Sequence, residues 1–323
     1  MSDRLPIRLA AGPGPTFGVD DLACAAATFL GCWEAEGRDV TWTPVLGGVA
    51  AMQAVLDDVV DVSYGGLGPV LKFRSEGESV RIIVSMARGL AQNQVTQSRI
   101  KDPQQLKGCS WALDGFGALS HHMARLLVAA LNIDEEDIKW EAVGPPPERI
   151  DRLLGDTIDV SLIRVEEAIS LNQDPSNSLH TLLGFADLKK LVPVQPHGVL
   201  GTTEAYEQSH QEELHRLTRG MIRASRALHD DFSNFKNVYD HYVTVPVPEA
   251  DVRDIWQQEH DTFGFAINGE LTHEHWNDEM SLFYRLNPAL NKVTRDELIA
   301  DNFVADALET IGIMPGEDCP RLH

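Results

Sequence analysis

The residues best suited to chemistry lie just after short apolar runs, where glycines and polar groups follow one another. Ser63-Tyr64-Gly65-Gly66 places a hydroxyl, a phenol and two unhindered backbone N–H groups behind the run that starts at Val59. Such a set can hold an oxyanion or an aromatic group. Arg164 follows Thr157–Ile163 and Arg88 follows Val80–Met86. A guanidinium there makes a two-pronged clamp for a carboxylate or sulfonate, and an ion pair of Arg164 with Glu166 or Glu167 is its plainer use. The segment Asp114-Gly-Phe-Gly-Ala-Leu-Ser-His-His122 offers an acid, the ring of Phe116 and two histidines, with Ser120 as a candidate helix cap. His121 and His122 point about 100° apart on a helix, so only one of them can serve a site. Thr16 and Phe17 close the turn Gly12-Pro-Gly-Pro15, and Gly47-Gly48 opens a helix whose free N–H groups suit an anion. His197 completes the set of candidate ligand-binding residues. For the glycine-bearing turns, ordinary turn and helix-entry geometry is an equal explanation.

Other chemistries find no support. No Ser-centred elbow, phosphate-binding loop or His-Glu-x-x-His occurs, and Asp114-Gly-Phe-Gly117 lacks the dinucleotide spacing. His273 and His275 are two apart on a helix and do not face each other, so no metal is expected, and no cofactor. Cys24, Cys32, Cys109 and Cys319 form no Cys-x-x-Cys. One helix carrying Cys24 and Cys32 would hold them about 12 Å apart, too far to bridge. Free buried thiols fit a reducing compartment slightly better than an oxidising one. The chain has 27 Lys and Arg against 49 Asp and Glu, a net charge of −22. That excludes nucleic acid and an anionic membrane surface as partners, since both need a basic face. No apolar run is long enough to span a bilayer, and no leader is visible before Ile7, so the sequence as it stands reads as cytoplasmic, or as periplasmic if a leader has been removed.

The elements that must position these residues alternate. Ile7–Ala11, Val40–Val45, Val59–Tyr64 and Val80–Met86 read as strands, separated by helices over Leu22–Glu36, Ala50–Leu56 and Leu67–Ser75. A second series follows: strands Cys109–Leu113, Ile138–Val143 and Thr157–Ile163, with helices over His121–Leu131 and from Pro147 to Leu154. Beyond residue 200 the periodicity is helical, over Glu212–Asp230, Glu249–Phe263, Thr272–Leu286 and Arg295–Thr310. A chain of 323 residues exceeds what one core normally serves. The pattern is α/β, with two lobes and a helical C-terminal third.

Glu34–Gly48 resembles the helix, Gly, strand, Gly-Gly passage of ABC-transporter solute-binding proteins, in the branch that handles taurine, alkanesulfonates, nitrate and thiamine precursors. Ala51–Pro69, Lys101–Gly108 and Arg149–Val160 are similar to three further passages of that family. The resemblance implies a type II periplasmic-binding fold. Residues 1–89 and 200–323 would form one lobe and 90–199 the other, joined by crossovers near Arg88–Gln97 and Val194–Thr203. A small, anionic organic solute would be held in the cleft by hinge closure and passed to an ABC permease. The rival is a cytosolic enzyme on the same scaffold, a decarboxylase or hydrolase of a small carboxylate, with Arg164 or Arg88 as anchor and a histidine as proton donor. Related desulfinases carry a cysteine in the loop after the first strand; Gly12–Phe17 has none.

Overall fold

The computed structural model describes residues 7–11, 17–45, 47–87, 91–192, 197–269, 271 and 273–316. The chain divides into two compact units. Unit 1 is Met1–Gly89, Val194–Thr244 and Trp256–His323; unit 2 is Leu90–Pro193 with Val245–Ile255.

In chain order the elements are β1 (Ile7–Ala11), α1 (Leu22–Phe29), α2 (Cys32–Ala35), β2 (Val40–Pro44), α3 (Gly48–Leu56), β3 (Val62–Gly65), α4 (Leu67–Ser75) and β4 (Val80–Ala87). Then come β5 (Gln92–Gln97), β6 (Ser110–Leu113), α5 (Leu119–Ala130), β7 (Lys139–Ala142), α6 (Pro146–Leu154), β8 (Val160–Arg164), α7 (Val165–Gln173), β9 (Leu179–Leu183) and α8 (Phe185–Leu191). The remainder is β10 (His197–Thr203), α9 (Glu204–Ser209), α10 (Gln211–Asp230), α11 (Phe232–Tyr242), α12 (Glu249–Asp261), α13 (His273–Leu286), α14 (Arg295–Leu298) and α15 (Asp301–Ile311).

Each unit carries one five-stranded sheet of the same design. The orders are β2-β1-β3-β10-β4 and β7-β6-β8-β5-β9. In both, three parallel strands meet a fourth that runs antiparallel: β10 against β3 and β4, and β5 against β8 and β9. The antiparallel strand of unit 2 follows directly on β4, and that of unit 1 follows β9 and α8, so each sheet takes a strand from across a chain crossing. The expected crossovers over Arg88–Gln97 and Val194–Thr203 are therefore largely strand, β5 and β10. Gln92-Asn-Gln-Val-Thr-Gln97 has no apolar alternation to announce it.

The core of unit 1 joins Ala10, Met52, Leu71 and Ile82 to Val199 and to Trp276 and Phe283 from α13. Helix α10 presents Leu214, Leu217, Met221 and Leu228 at helical spacing and keeps Glu212 and Glu213 at its exposed start. Two expected helices are divided. The helix over Leu22–Glu36 breaks at Gly31, whose φ of 68° ends α1 and starts α2, so Cys24 and Cys32 lie on different helices. The helix over Arg295–Thr310 splits at Ile299 and Ala300, and its first turn is held by a box in which Thr294 and Glu297 bond reciprocally. In α5, Ser120 is not the cap: Ala118 takes that position, and the Ser120 hydroxyl instead accepts the Asp114 N–H at 2.9 Å. No helix among the described residues is long and apolar enough to cross a membrane.

Candidate functional site

In unit 1 the parallel strands end level, with Ala11 beside both Pro44 and Tyr64. Helices α3 and α4 start at this edge. A methyl group on Gly48 would lie 2.9 Å from Pro69 Cγ and 3.7 Å from the Gly66 nitrogen, and one on Gly65 would lie 3.3 Å from Gly48 Cα. The glycines therefore let two helix starts touch. Gly47 adds a φ of 85°, which a side chain would strain. Neither start is capped by a side chain, and neither first turn contains an acid. Two positive helix ends open in one place.

Ser63 and Tyr64 are buried, at 3% and 0% exposure. Neither hydroxyl faces an opening. Tyr64 Oη donates to the Asp20 carbonyl at 3.1 Å, and Ser63 Oγ donates to the Gly201 carbonyl at 3.3 Å. Gly198 and Gly201 on β10 exist to admit them, since a Cβ there would meet Tyr64 Oη or Ser63 Oγ at 2.9 Å. Both hydroxyls are thus bonded to backbone carbonyls within unit 1, and of the two glycines that follow, Gly65 is partly exposed and Gly66 is buried. Burial pushes the Tyr64 phenol well above its usual range, so it stays protonated. Phe17 packs edge-on to Trp42 at 5.7 Å and against Tyr242 at 5.0 Å, with Phe29 6.2 Å from Tyr242. Thr16 and Arg88 lie outside the described residues, as does the side chain of His197, whose backbone is the first residue of β10.

In unit 2 the carboxyl ends of β6 and β8 carry Asp114 and Arg164. Between them stands Arg149, 4% exposed, on the buried face of α6 with Leu153. Its guanidinium donates to the Gly144 carbonyl at 3.1 Å, to Ser161 Oγ at 3.1 Å, to the Leu162 carbonyl at 2.5 Å and to Asp114 Oδ1 at 3.0 Å. One side chain thus ties the loop after β7, the end of β8 and the loop after β6. Burial lowers the Arg149 pKa, opposed by Asp114 and Glu167, while burial raises that of Glu167, opposed by Arg164 and Arg149.

The pinned loop displays Phe116, 67% exposed. Its ring meets His121 edge-on at 5.4 Å, and His121 meets Trp140 at 5.6 Å. The Gly117 N–H donates to His121 Nδ1 at 3.0 Å, which leaves Nε2 as the protonated nitrogen of a neutral imidazole. Burial, and after it Arg125, lowers the His121 pKa in keeping with that state. His122 is half-buried on the adjoining face of α5.

Asp114, Phe116, His121 and Arg164, the candidates singled out from the sequence in this part of the chain, lie at one edge of unit 2, after β6 and β8. Sequence reasoning missed Arg149, whose signal was its spacing of four from Leu153 on an otherwise polar helix. It also missed Trp42 and Tyr242, which nothing near Phe17 in sequence indicates.

No protein-family model matches the chain, and comparison with curated proteins finds no match. Solved structures do match. A protein assigned as the periplasmic sulfonate-binding protein SsuA of Methylobacillus flagellatus superposes with a TM-score of 0.73 at 15% identity, covering 96% of each chain. The alkanesulfonate-binding protein SsuA of Xanthomonas axonopodis bound to MOPS gives 0.68 at 14%, covering 95% of this chain and 99% of that one. This is the periplasmic-binding fold. The nitrate-binding protein NrtA of Synechocystis shares it, at 0.68 and 13% identity over 96% of this chain and 89% of its own. In open sheets of the parallel kind such a fold is built on, ligands sit outside the strand carboxyl ends, which in each unit is the edge just described.

Proposed function

We propose that the chain is a solute-binding protein of ABC import, which closes on a small organic anion by a hinge motion and hands it to a membrane permease. The observation that supports this best is the meeting of the uncapped starts of α3 and α4 at Gly48 and Gly66, with no acid in either first turn. Two helix ends and their N–H groups suit a sulfonate, carboxylate or nitrate group. Taken by itself, unit 2 has at its own strand ends Arg164, the Nε2–H of His121 and the exposed ring of Phe116, groups that suit an anion with an apolar or ring-bearing remainder. The relatives above are named for sulfonates and nitrate, both small anions. A receptor of this kind works in the periplasm.

Isothermal titration with alkanesulfonates, arylsulfonates, small carboxylates and nitrate tests the reading, with neutral sulfonamides and carboxamides as controls. At least one anion binds one-to-one and its neutral counterpart does not. Absence of binding across the panel, or equal binding of the neutral controls, would overturn it.

A further inference from the structure

Within unit 1, the end of α10 meets the last turns of α12, from Trp256 on, through stacked rings. His229, 6% exposed, lies face to face with His260, their ring centroids 4.4 Å apart and their planes 10° apart. Its ring also stacks on Phe263, at 5.1 Å and 19°. Trp256 stands 5.4 Å from His260 and donates its indole N–H to the Leu228 carbonyl at 2.8 Å, which ties α12 to the end of α10. Phe263 is held at a φ of 48°, a backbone region that bulky side chains rarely enter.

The C-terminal segment closes over the same place. A methyl group on Gly316 would lie 2.8 Å from Phe263 Cζ, so the Gly316 backbone rests on that ring. Asn268, 0% exposed, pairs with Met314 as a neighbouring strand would: its Oδ1 accepts the Met314 N–H at 2.9 Å and its Nδ2 donates to the Met314 carbonyl at 2.9 Å. Arg226, one turn before His229 on α10, donates to the Ile267, Ile311 and Gly312 carbonyls at 2.7, 3.2 and 2.7 Å and to Asn268 Oδ1 at 3.1 Å. The strip so covered also bonds the end of β4, where the Ala266 N–H donates to the Met86 carbonyl at 2.9 Å.

We propose that Ile311–Gly316 is a pH-sensitive latch on unit 1, shut while His229 or His260 is neutral and loosened when both carry a proton. Two imidazolium rings 4.4 Å apart repel each other. The stack then parts, Phe263 loses the ring that supports its strained backbone, and Gly316 loses the surface it rests on. Asp261 Oδ1 lies 3.1 Å from His260 Nδ1 and favours a proton there. On His229, burial and after it His260 lower the pKa, opposed by Asp230. Of the other charged groups nearby, Glu259 is 4% exposed on α12 and Asp231 accepts the Ser233 N–H at the start of α11. Ile311–Gly316 itself has no titratable side chain. A neutral His229 therefore favours closure fully above the ordinary histidine value, about 6.5, and that contribution is lost as pH falls through the lower folded value.

Hydrogen exchange of the full chain, corrected for the pH dependence of the intrinsic rate, tests the latch at the Ile311–Gly316 peptide. Its protection is expected to fall about tenfold between about pH 7.5 and about pH 5, while β3 in the same unit keeps its own. In His229→Phe, which keeps a stacked ring and takes no proton, the segment stays equally protected at both pH values. Equal protection in the parent at both pH values, or a loss of the same size in His229→Phe, would overturn the proposal. Asn268→Ala removes the pairing with Met314 and should exchange fast in this segment at both pH values; unchanged protection there would also refute the latch. Should His229→Phe not fold, His260→Phe carries the same test.

Discussion

Replacing Arg149 with alanine is the sharpest perturbation the structure offers. The side chain is 4% exposed and donates to two backbone carbonyls, one hydroxyl and one carboxylate. Ser161 Oγ keeps its bond to the Ala112 carbonyl at 3.0 Å, so the variant strands chiefly the Gly144 and Leu162 carbonyls and Asp114. Breaking a buried charge pair costs about 3–5 kcal/mol. The Asp114 side chain is 38% exposed and water screens its share, so the lower figure, about 3 kcal/mol, applies. For a domain of this size that corresponds to a fall of about 6–12 °C in melting temperature. Thermal unfolding followed by tryptophan fluorescence measures it, with Trp111 and Trp140 as the reporters in unit 2. Arg149→Lys restores only a minor part, because an ammonium cannot span three loops with a planar fork. Solute affinity should fall as well, as the loop that displays Phe116 loses its anchor. An Arg149→Ala protein that melts within a degree of the parent would refute the clamp.

Three further outcomes are expected. Arg164→Ala weakens binding of an organic anion by about 1.5–3 kcal/mol if its guanidinium bonds the solute; titration calorimetry giving an unchanged affinity would make Arg164 a structural residue of unit 2. Gly48→Val drives a side chain into Pro69 and separates the starts of α3 and α4, so anion affinity falls at least tenfold while calorimetry of the free protein detects a folded chain; full affinity would remove the helix starts from the site. His121 has a lowered pKa, so in the folded state it stays neutral where the unfolded chain already binds a proton. Its contribution to stability is complete above the ordinary histidine value, about 6.5, and is lost as pH falls through the lower folded value. Urea midpoints for the parent and His121→Gln should therefore diverge most above pH 6.5 and converge below it; parallel curves across that range would contradict the lowered His121 pKa.

What the sequence disclosed was what local pattern can encode. Ile7–Ala11 and Leu67–Ser75 are found where their apolar runs and flanking glycines place them. Asp114, Phe116 and His121 follow β6 and Arg164 ends β8, the positions the apolar runs before them indicate. Strand β5 escaped because its ladder is set by β8 and β9 on either side, and its polar side chains follow no alternation. The burial of Tyr64 was illegible for a related reason: the place that it and Ser63 occupy is made by Gly198 and Gly201, far along the chain. Arg149 was hidden because a buried arginine reads like any charged residue on a polar helix until the carbonyls around it are seen.

The proposed receptor binds a small organic anion and releases it unchanged. Native mass spectrometry of the purified protein, mixed with the anion panel and then incubated warm, tests it most directly. A one-to-one adduct is expected whose mass stays constant with time and which the Gly48→Val and Arg164→Ala proteins hold less well. An adduct whose mass changes during incubation, or none with any anion, would contradict it.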